Sequence, residues 1–111
     1  MKIAYKIWLD SNGKAFGDGP YELLRRVHKT HSLHQAAFQM GMSYSKAWYL
    51  IRTLEERLGF VLLKRKTGGR SGGGSQLTSE AIGLMEQYGK FRKEAEGTLK
   101  TIFRKHFGKS P

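Results

Sequence analysis

From Lys2 to Leu9 the chain reads KIAYKIWL, with apolar and aromatic side chains in rough alternation, which predicts a strand. DSNGK follows, and Asn12-Gly13 is a strong hairpin-turn signal, so AFGDG should be a short return strand. Gly19-Pro20 then opens a helix to about Thr30, with proline suited to the first turn and Leu23, Leu24 and Val27 forming its apolar stripe. Ser32 stands as an N-cap before LHQAAFQM. Leu33, Ala36, Ala37 and Met40 have the spacing of one buried helix face, and Gly41 stops that helix. Ser43 caps the next, YSKAWYLIRTLEERL, where Ala47, Ile51, Leu54 and Leu58 share a face and Gly59 ends the run. On the opposite face lie Ser45, Tyr49, Arg52 and Glu56. FVLLKRK reads as a strand, SQLT as a short return strand, and Thr78 as the cap of a last helix carrying Ile82, Met85, Tyr88, Phe91, Leu99, Ile102 and Phe103.

Two short helices joined by a glycine turn, then strand, glycine loop and strand, describe a winged helix-turn-helix. The predicted fold is α+β and mainly helical, with an N-terminal β-hairpin, a β-wing and a long C-terminal helix. Residues 1–78 form the winged domain, with the helix-turn-helix over about 32–58 and the wing over about 60–78. Residues 79–111 form the C-terminal helix, packed on the same domain.

Charge narrows what such a domain meets. Twenty Lys and Arg stand against 9 Asp and Glu, a formal net charge of +11. A small domain this basic attracts polyanions, nucleic acid first and an anionic membrane second. With no cysteine, a disulfide framework and a thiolate metal site are excluded. No apolar run approaches the roughly 20 residues that span a bilayer, and MKIAYKIWLD lacks the apolar stretch of a signal peptide. The expectation is a soluble cytoplasmic protein associated with the nucleoid.

The segment RKTGGRSGGGSQLT, residues 65–78, holds five glycines and three basic residues. A phosphate-cradling enzyme loop would need Gly-Lys-Ser/Thr with a second glycine upstream. The one such tripeptide, Gly108-Lys109-Ser110, lacks that glycine. A flexible linker should lead to a domain, and only one helix follows. A wing accounts for both composition and charge. Glycine lets backbone N–H groups approach phosphates closely, and no acidic residue occurs between Glu56 and Glu80, an interval that holds Arg57, Lys64, Arg65, Lys66 and Arg70.

The stretch SLHQAAFQMGMSYSKAWYLIRTLEERLGFVLLKR, with its later LT, resembles the winged helix-turn-helix of LysR-type transcriptional regulators. SYSKAW and TGGRSGGGSQLT are more closely similar to the N-terminal domain of ModE-type, molybdate-responsive regulators, and this similarity covers roughly residues 1 to 105. The resemblance implies a sequence-specific regulator that binds double-stranded DNA as a homodimer. It places Ser43, Tyr44, Ser45, Lys46, Trp48, Tyr49 and Arg52 at the groove. Ser45, Tyr49 and Arg52 are favoured independently by the face count, and Arg can bind guanine bidentately. Arg65, Lys66 and Arg70, with Gly68, Gly69 and Ser71 of the tip, should hold phosphates. ModE-type regulators carry molybdate-binding domains beyond this point, so the expectation for this chain alone is no molybdate binding, no cofactor and no built-in ligand domain.

Several residues keep two readings. Trp48 and Tyr44 either pack at the flank of the core or face DNA. Ser32 is an N-cap and also a candidate phosphate contact. His28, His31 and His34 recur every third residue, but helix one breaks near His31 and no carboxylate or cysteine completes a metal site, so the default is surface or DNA-facing histidines. No nucleophile, base and orienter come together, which argues against an enzyme. The glutamates mostly neighbour Lys or Arg and read as solvated. The last helix is basic and amphipathic, which suits a membrane surface. Yet Leu84, Tyr88, Phe91, Ala95, Thr98 and Ile102 step by four and three, a coiled-coil seam that favours a dimer. A nonspecific nucleoid-type DNA binder and a protein-interaction module are the other functional classes compatible with the sequence.

Overall fold

The computed structural model describes residues 1–66 and 74–108. Its elements run β1 (Trp8–Asp10), β2 (Lys14–Gly17), α1 (Asp18–Thr30), α2 (Leu33–Gln39), α3 (Tyr44–Leu58), β3 (Leu63–Lys66), β4 (Gly74–Leu77) and α4 (Ser79–Phe107). This is the expected winged helix-turn-helix, with an N-terminal hairpin, a second hairpin and a long last helix.

The helix starts are set locally. The side chains of Ser32, Ser43 and Thr78 accept hydrogen bonds from the backbone N–H of Gln35, Lys46 and Ala81 at 3.0, 3.1 and 3.1 Å. Each satisfies one of the donors a helix leaves open at its N-terminus. Gly59 ends α3 in the left-handed region at φ 87°, its N–H donating to the Glu55 carbonyl. Leu23, Leu24 and Val27 of α1, Leu33, Ala36 and Ala37 of α2, and Ala47, Ile51 and Leu54 of α3 meet in one core. Phe16, Leu62, Leu63, Leu77, Ala81 and Tyr88 close it from the hairpins and α4. A fully buried side chain of this size contributes about 1.5–3 kcal/mol.

The two hairpins are attached differently. In the first, Trp8 pairs with Gly17 and Leu9 with Phe16. A Cβ on Gly17 would come within 2.7 Å of the Trp8 ring, so glycine lets the indole lie flat on the strand. In the second, Leu63 pairs with Leu77 and Lys66 with Gly74. Its return strand is tied to the α1–α2 turn, because Ser75 N–H donates to the His31 carbonyl at 2.9 Å. A Cβ on Gly74 would sit 2.6 Å from that same oxygen. One of the five glycines thus serves close backbone approach.

Two expectations need correction. The strand predicted over Lys2–Leu9 pairs only from Trp8 to Asp10. The return strand is four residues long before α1 begins, so Lys2–Ile7 has no strand to bond. The alternation still has a use: Ile3, Tyr5 and Ile7 are half-buried between exposed neighbours, and the segment reaches α4 through Tyr5, whose hydroxyl donates to Glu96 at 3.3 Å.

The second correction concerns Tyr88, expected in the dimer seam. It is 2% exposed, edge-on to Phe16 at 5.2 Å, beside Tyr21 at 5.5 Å, and its hydroxyl donates to Asp18 at 2.6 Å. Tyr88 is therefore part of the core of the single chain. At about 100° per residue it lies some 40° from Leu84, rotated toward Ala81, while Phe91 lies about 20° from Leu84 on the other side, and so about 60° from Tyr88. Burial, followed by the hydrogen bond to Asp18, pushes its phenol above the ordinary range. The Arg92 guanidinium, helped by the Tyr88 hydroxyl, holds the Asp18 carboxyl below its ordinary 3.8.

Candidate nucleic-acid interface

The outward face of α3 carries Ser45, Lys46, Tyr49 and Arg52, all exposed, with Tyr49 at 74%. The core stripe of the same helix makes this inevitable, since Ala47, Ile51 and Leu54 take the opposite side. Ser43 is exposed at the helix start, its hydroxyl oxygen engaged as the cap. Ser32 caps α2 in the same way and is half-buried.

Tyr44 and Trp48 are half-buried, as the core-flank reading expects. They pack against the rim of the core and also build a surface. His34 of α2 stacks on Tyr44 at 4.9 Å, and Tyr44 lies nearly parallel to Trp48 at 6.3 Å. The Arg52 guanidinium lies 4.1 Å from the Trp48 ring centroid and that of Arg65 5.3 Å from it. Arg65 also donates to the Tyr44 hydroxyl at 3.0 Å. One indole therefore carries two cations, one from α3 and one from β3, a favourable arrangement against the ring's negative face. α3 and the second hairpin are joined across it.

Two residues of this face are not evident from the sequence pattern. His34 reads by default as a surface or DNA-facing histidine, but its stacking on Tyr44, ten residues away, is not legible in the spacing. Glu55, which reads with the other glutamates as solvated, is 8% exposed. Its Oε2 accepts from the backbone N–H of Leu62 at 2.7 Å and Leu63 at 3.1 Å, and its Oε1 accepts from Arg52 Nη1. A signal exists: Glu55 lies beside Leu54 on the core stripe, one turn from Ile51, just before the Gly59 reversal. Glu56, by contrast, is exposed as expected. Arg57, counted in the basic interval, donates instead to the Lys14 carbonyl at 2.7 Å and ties α3 to the first hairpin. Lys66 falls within β3, and Gly68, Gly69, Arg70 and Ser71 lie outside the described residues.

The model of the bacterial regulatory helix-turn-helix proteins of the lysR family matches residues 21–82. The chain belongs to that family. The matched LysR-family span takes in α1 from its fourth residue, α2, α3, both strands of the second hairpin and the start of α4. It is the kind of domain with which transcriptional regulators bind DNA. Among individual proteins, the chain is 35% identical over 89 residues to the DNA-binding transcriptional dual regulator ModE of Escherichia coli K12, covering 79% of this chain and 34% of that one. It is 35% identical over 65 residues to the molybdenum transport protein ModE of Herbaspirillum seropedicae, 59% of this chain and 24% of the relative. It is 30% identical over 88 residues to the molybdenum-pterin-binding protein MopB of Rhodobacter capsulatus, 79% and 33%. The LysR-family chain thus spans between a quarter and a third of the length of these relatives. Among the described residues, no helix is long and apolar enough to cross a membrane.

Proposed function

We propose that the chain is a sequence-specific regulator that binds duplex DNA as a homodimer. The α3 face lies in the major groove and the β3–β4 hairpin lies along the backbone. The observation that carries this reading is the exposed α3 face of Ser45, Lys46, Tyr49 and Arg52 set directly beside Arg65 of the second hairpin. Ser45, Tyr49 and Arg52 read base edges, Ser43, Tyr44 and Trp48 line the entry to the groove, and Ser32, Lys46, Arg65 and Lys66 hold phosphates. Gly68, Gly69, Arg70 and Ser71 belong to the same phosphate contact by sequence. A net charge of +11 supplies the nonspecific part of the affinity.

Dimerisation through α4 is supported by its remaining seam. Phe91 and Ile102 are 50% and 48% exposed, and Leu84 and Ala95 lie half-buried between them and the core. Sedimentation of the chain should report a dimer at micromolar concentration, and Phe91→Asp a monomer with weakened DNA binding. For recognition, the test is affinity for a duplex selected from a randomised pool and for unrelated duplexes over a salt series. Equal affinity for both at every salt concentration would make the chain a nonspecific nucleoid-type binder, and no binding at low salt would leave a protein-interaction module.

A further inference from the structure

We propose that Glu55 sets the base-reading position of Arg52 and couples it to the second hairpin, making it a positioning residue for specificity that itself touches no DNA. The proposal rests on the reading of α3 as the helix in the groove.

The geometry is that of a brace. The Glu55 carboxylate is buried and faces two ways. Toward the chain, Oε2 takes the N–H groups of Leu62 and Leu63, at the entry to β3. Toward the surface, Oε1 takes one N–H of Arg52. The same guanidinium lies over the Trp48 ring, its carbon 4.1 Å from the centroid. An arginine held by an edge and a face has lost most of its rotamer freedom before any DNA arrives, so less entropy is lost when it meets a base. Arg52 remains 44% exposed, and among the described residues its other N–H groups have no protein acceptor. A guanidinium braced on one edge can still present another edge to guanine O6 and N7.

The coupling follows from the shared carboxylate. Leu62 and Leu63 lead into the strand that bears Arg65, and Arg65 lies against the same indole as Arg52. A shift of the hairpin on the phosphate backbone therefore moves Glu55, and with it Arg52. Phosphate engagement and base reading share one mechanical link of two backbone hydrogen bonds and one ion pair.

The informative substitution is Glu55→Gln. An amide has one acceptor oxygen where the carboxylate has two. If that oxygen keeps the Leu62 and Leu63 donors, the NH2 group faces Arg52, donor against donor, and the arginine is released with its charge intact. With the full chain, affinity would be measured for the duplex enriched by the wild type from a randomised pool and for an unrelated duplex. The expected result is roughly a tenfold loss on the enriched duplex. Affinity for the unrelated duplex should be unchanged or higher, with the salt slope retained. In an Arg52→Ala background, Glu55→Gln should change the ratio of the two affinities no further. A merely structural role would lower both affinities together with the melting temperature, and would add to Arg52→Ala; that result overturns the proposal.

Arg52→Lys keeps the test open if Glu55→Gln does not fold. It leaves the Leu62 and Leu63 bonds untouched and retains a charge for Glu55, but has no second planar edge for a base. It must lose the same ratio, and a ratio that survives overturns the proposal. A wild-type chain that prefers no duplex removes the sequence-specific reading itself. A wild type that discriminates while both variants keep its ratio removes the base reading by Arg52 and with it the role of Glu55, and leaves the specificity to other residues of α3.

Discussion

Two arginines in this molecule have nearly the same local arrangement, a guanidinium on an aromatic ring with a carboxylate at its edge, and opposite fates. Arg92 of α4 lies 5.1 Å from the Tyr5 ring and donates to Asp18 at 2.8 and 3.2 Å, to Tyr5 at 3.2 Å and to Glu96 at 3.3 Å. It is 25% exposed, and both Asp18 oxygens are engaged. Arg52 of α3 lies closer to its ring, Trp48, but has a single carboxylate oxygen and is 44% exposed. Saturation separates them. Arg92 joins α1, α4 and the N-terminal segment and has little hydrogen-bonding capacity left, so it is a strut. Arg52 is oriented by Glu55 and Trp48 with donors to spare, which is what recognition needs.

The comparison can be broken most forcefully at the strut's base. Tyr88 supports the Asp18–Arg92 pair and fills the core beside Phe16. Tyr88→Ala should cost about 3–5 kcal/mol of stability, read by chemical denaturation, through the cavity it leaves. If it instead leaves stability unchanged while abolishing the proposed dimer, Tyr88 belongs to a seam after all.

Substituting the two arginines themselves should sharpen the contrast. Arg52→Ala should cost about 1–3 kcal/mol of affinity at the selected duplex and much less on unrelated DNA. Arg92→Ala should leave the ratio of these affinities alone and lower stability by about 1 kcal/mol or less, since the cluster is partly exposed. An Arg92→Ala chain that loses discrimination would show that the strut is also a reader.

Arg65 lies between the two cases, bonded to Tyr44 and proposed above to hold a phosphate. Arg65→Ala should weaken binding to selected and unrelated duplexes alike and lower the salt slope by roughly one unit. An unchanged slope would show that Arg65 meets no phosphate.

The smallest effect concerns pH and belongs to the strut. The folded-state value of Asp18 lies below its ordinary 3.8, chiefly through Arg92. A carboxylate with a depressed folded value contributes stability above 3.8, and that contribution is lost as pH falls below it. Screening keeps it under about 1 kcal/mol. Acid titration of stability should therefore show a shallow loss below the ordinary aspartate range. In Asp18→Asn this component should be absent, and its persistence would assign the loss to another carboxylate, with Glu22 a ready alternative because Arg25 and Arg26 hold it at about 2.

What the sequence determined by itself is whatever closes within a few residues. Each cap bond at Ser32, Ser43 and Thr78 spans three residues, and the Gly59 reversal needs only its own φ. The apolar stripes of α1, α2 and α3 repeat within single helices, so the helix-turn-helix and its exposed face are legible in the order of residues alone. The tertiary structure decided the pairings between distant positions. Lys2–Ile7 alternates like a strand, but the return strand gives way to α1 after Gly17 and leaves it no strand to join. Tyr88 lies near the boundary between seam and core, and Phe16 and Asp18, some seventy residues away, draw it inward. Glu55 reads as one more helical glutamate until the chain turns at Gly59 and brings the Leu62 and Leu63 amides to its carboxylate. The physical reason is the same in each case. Propensity and periodicity act through the local backbone, whereas the partner of a buried charge or a boundary aromatic exists only once separate elements have packed together.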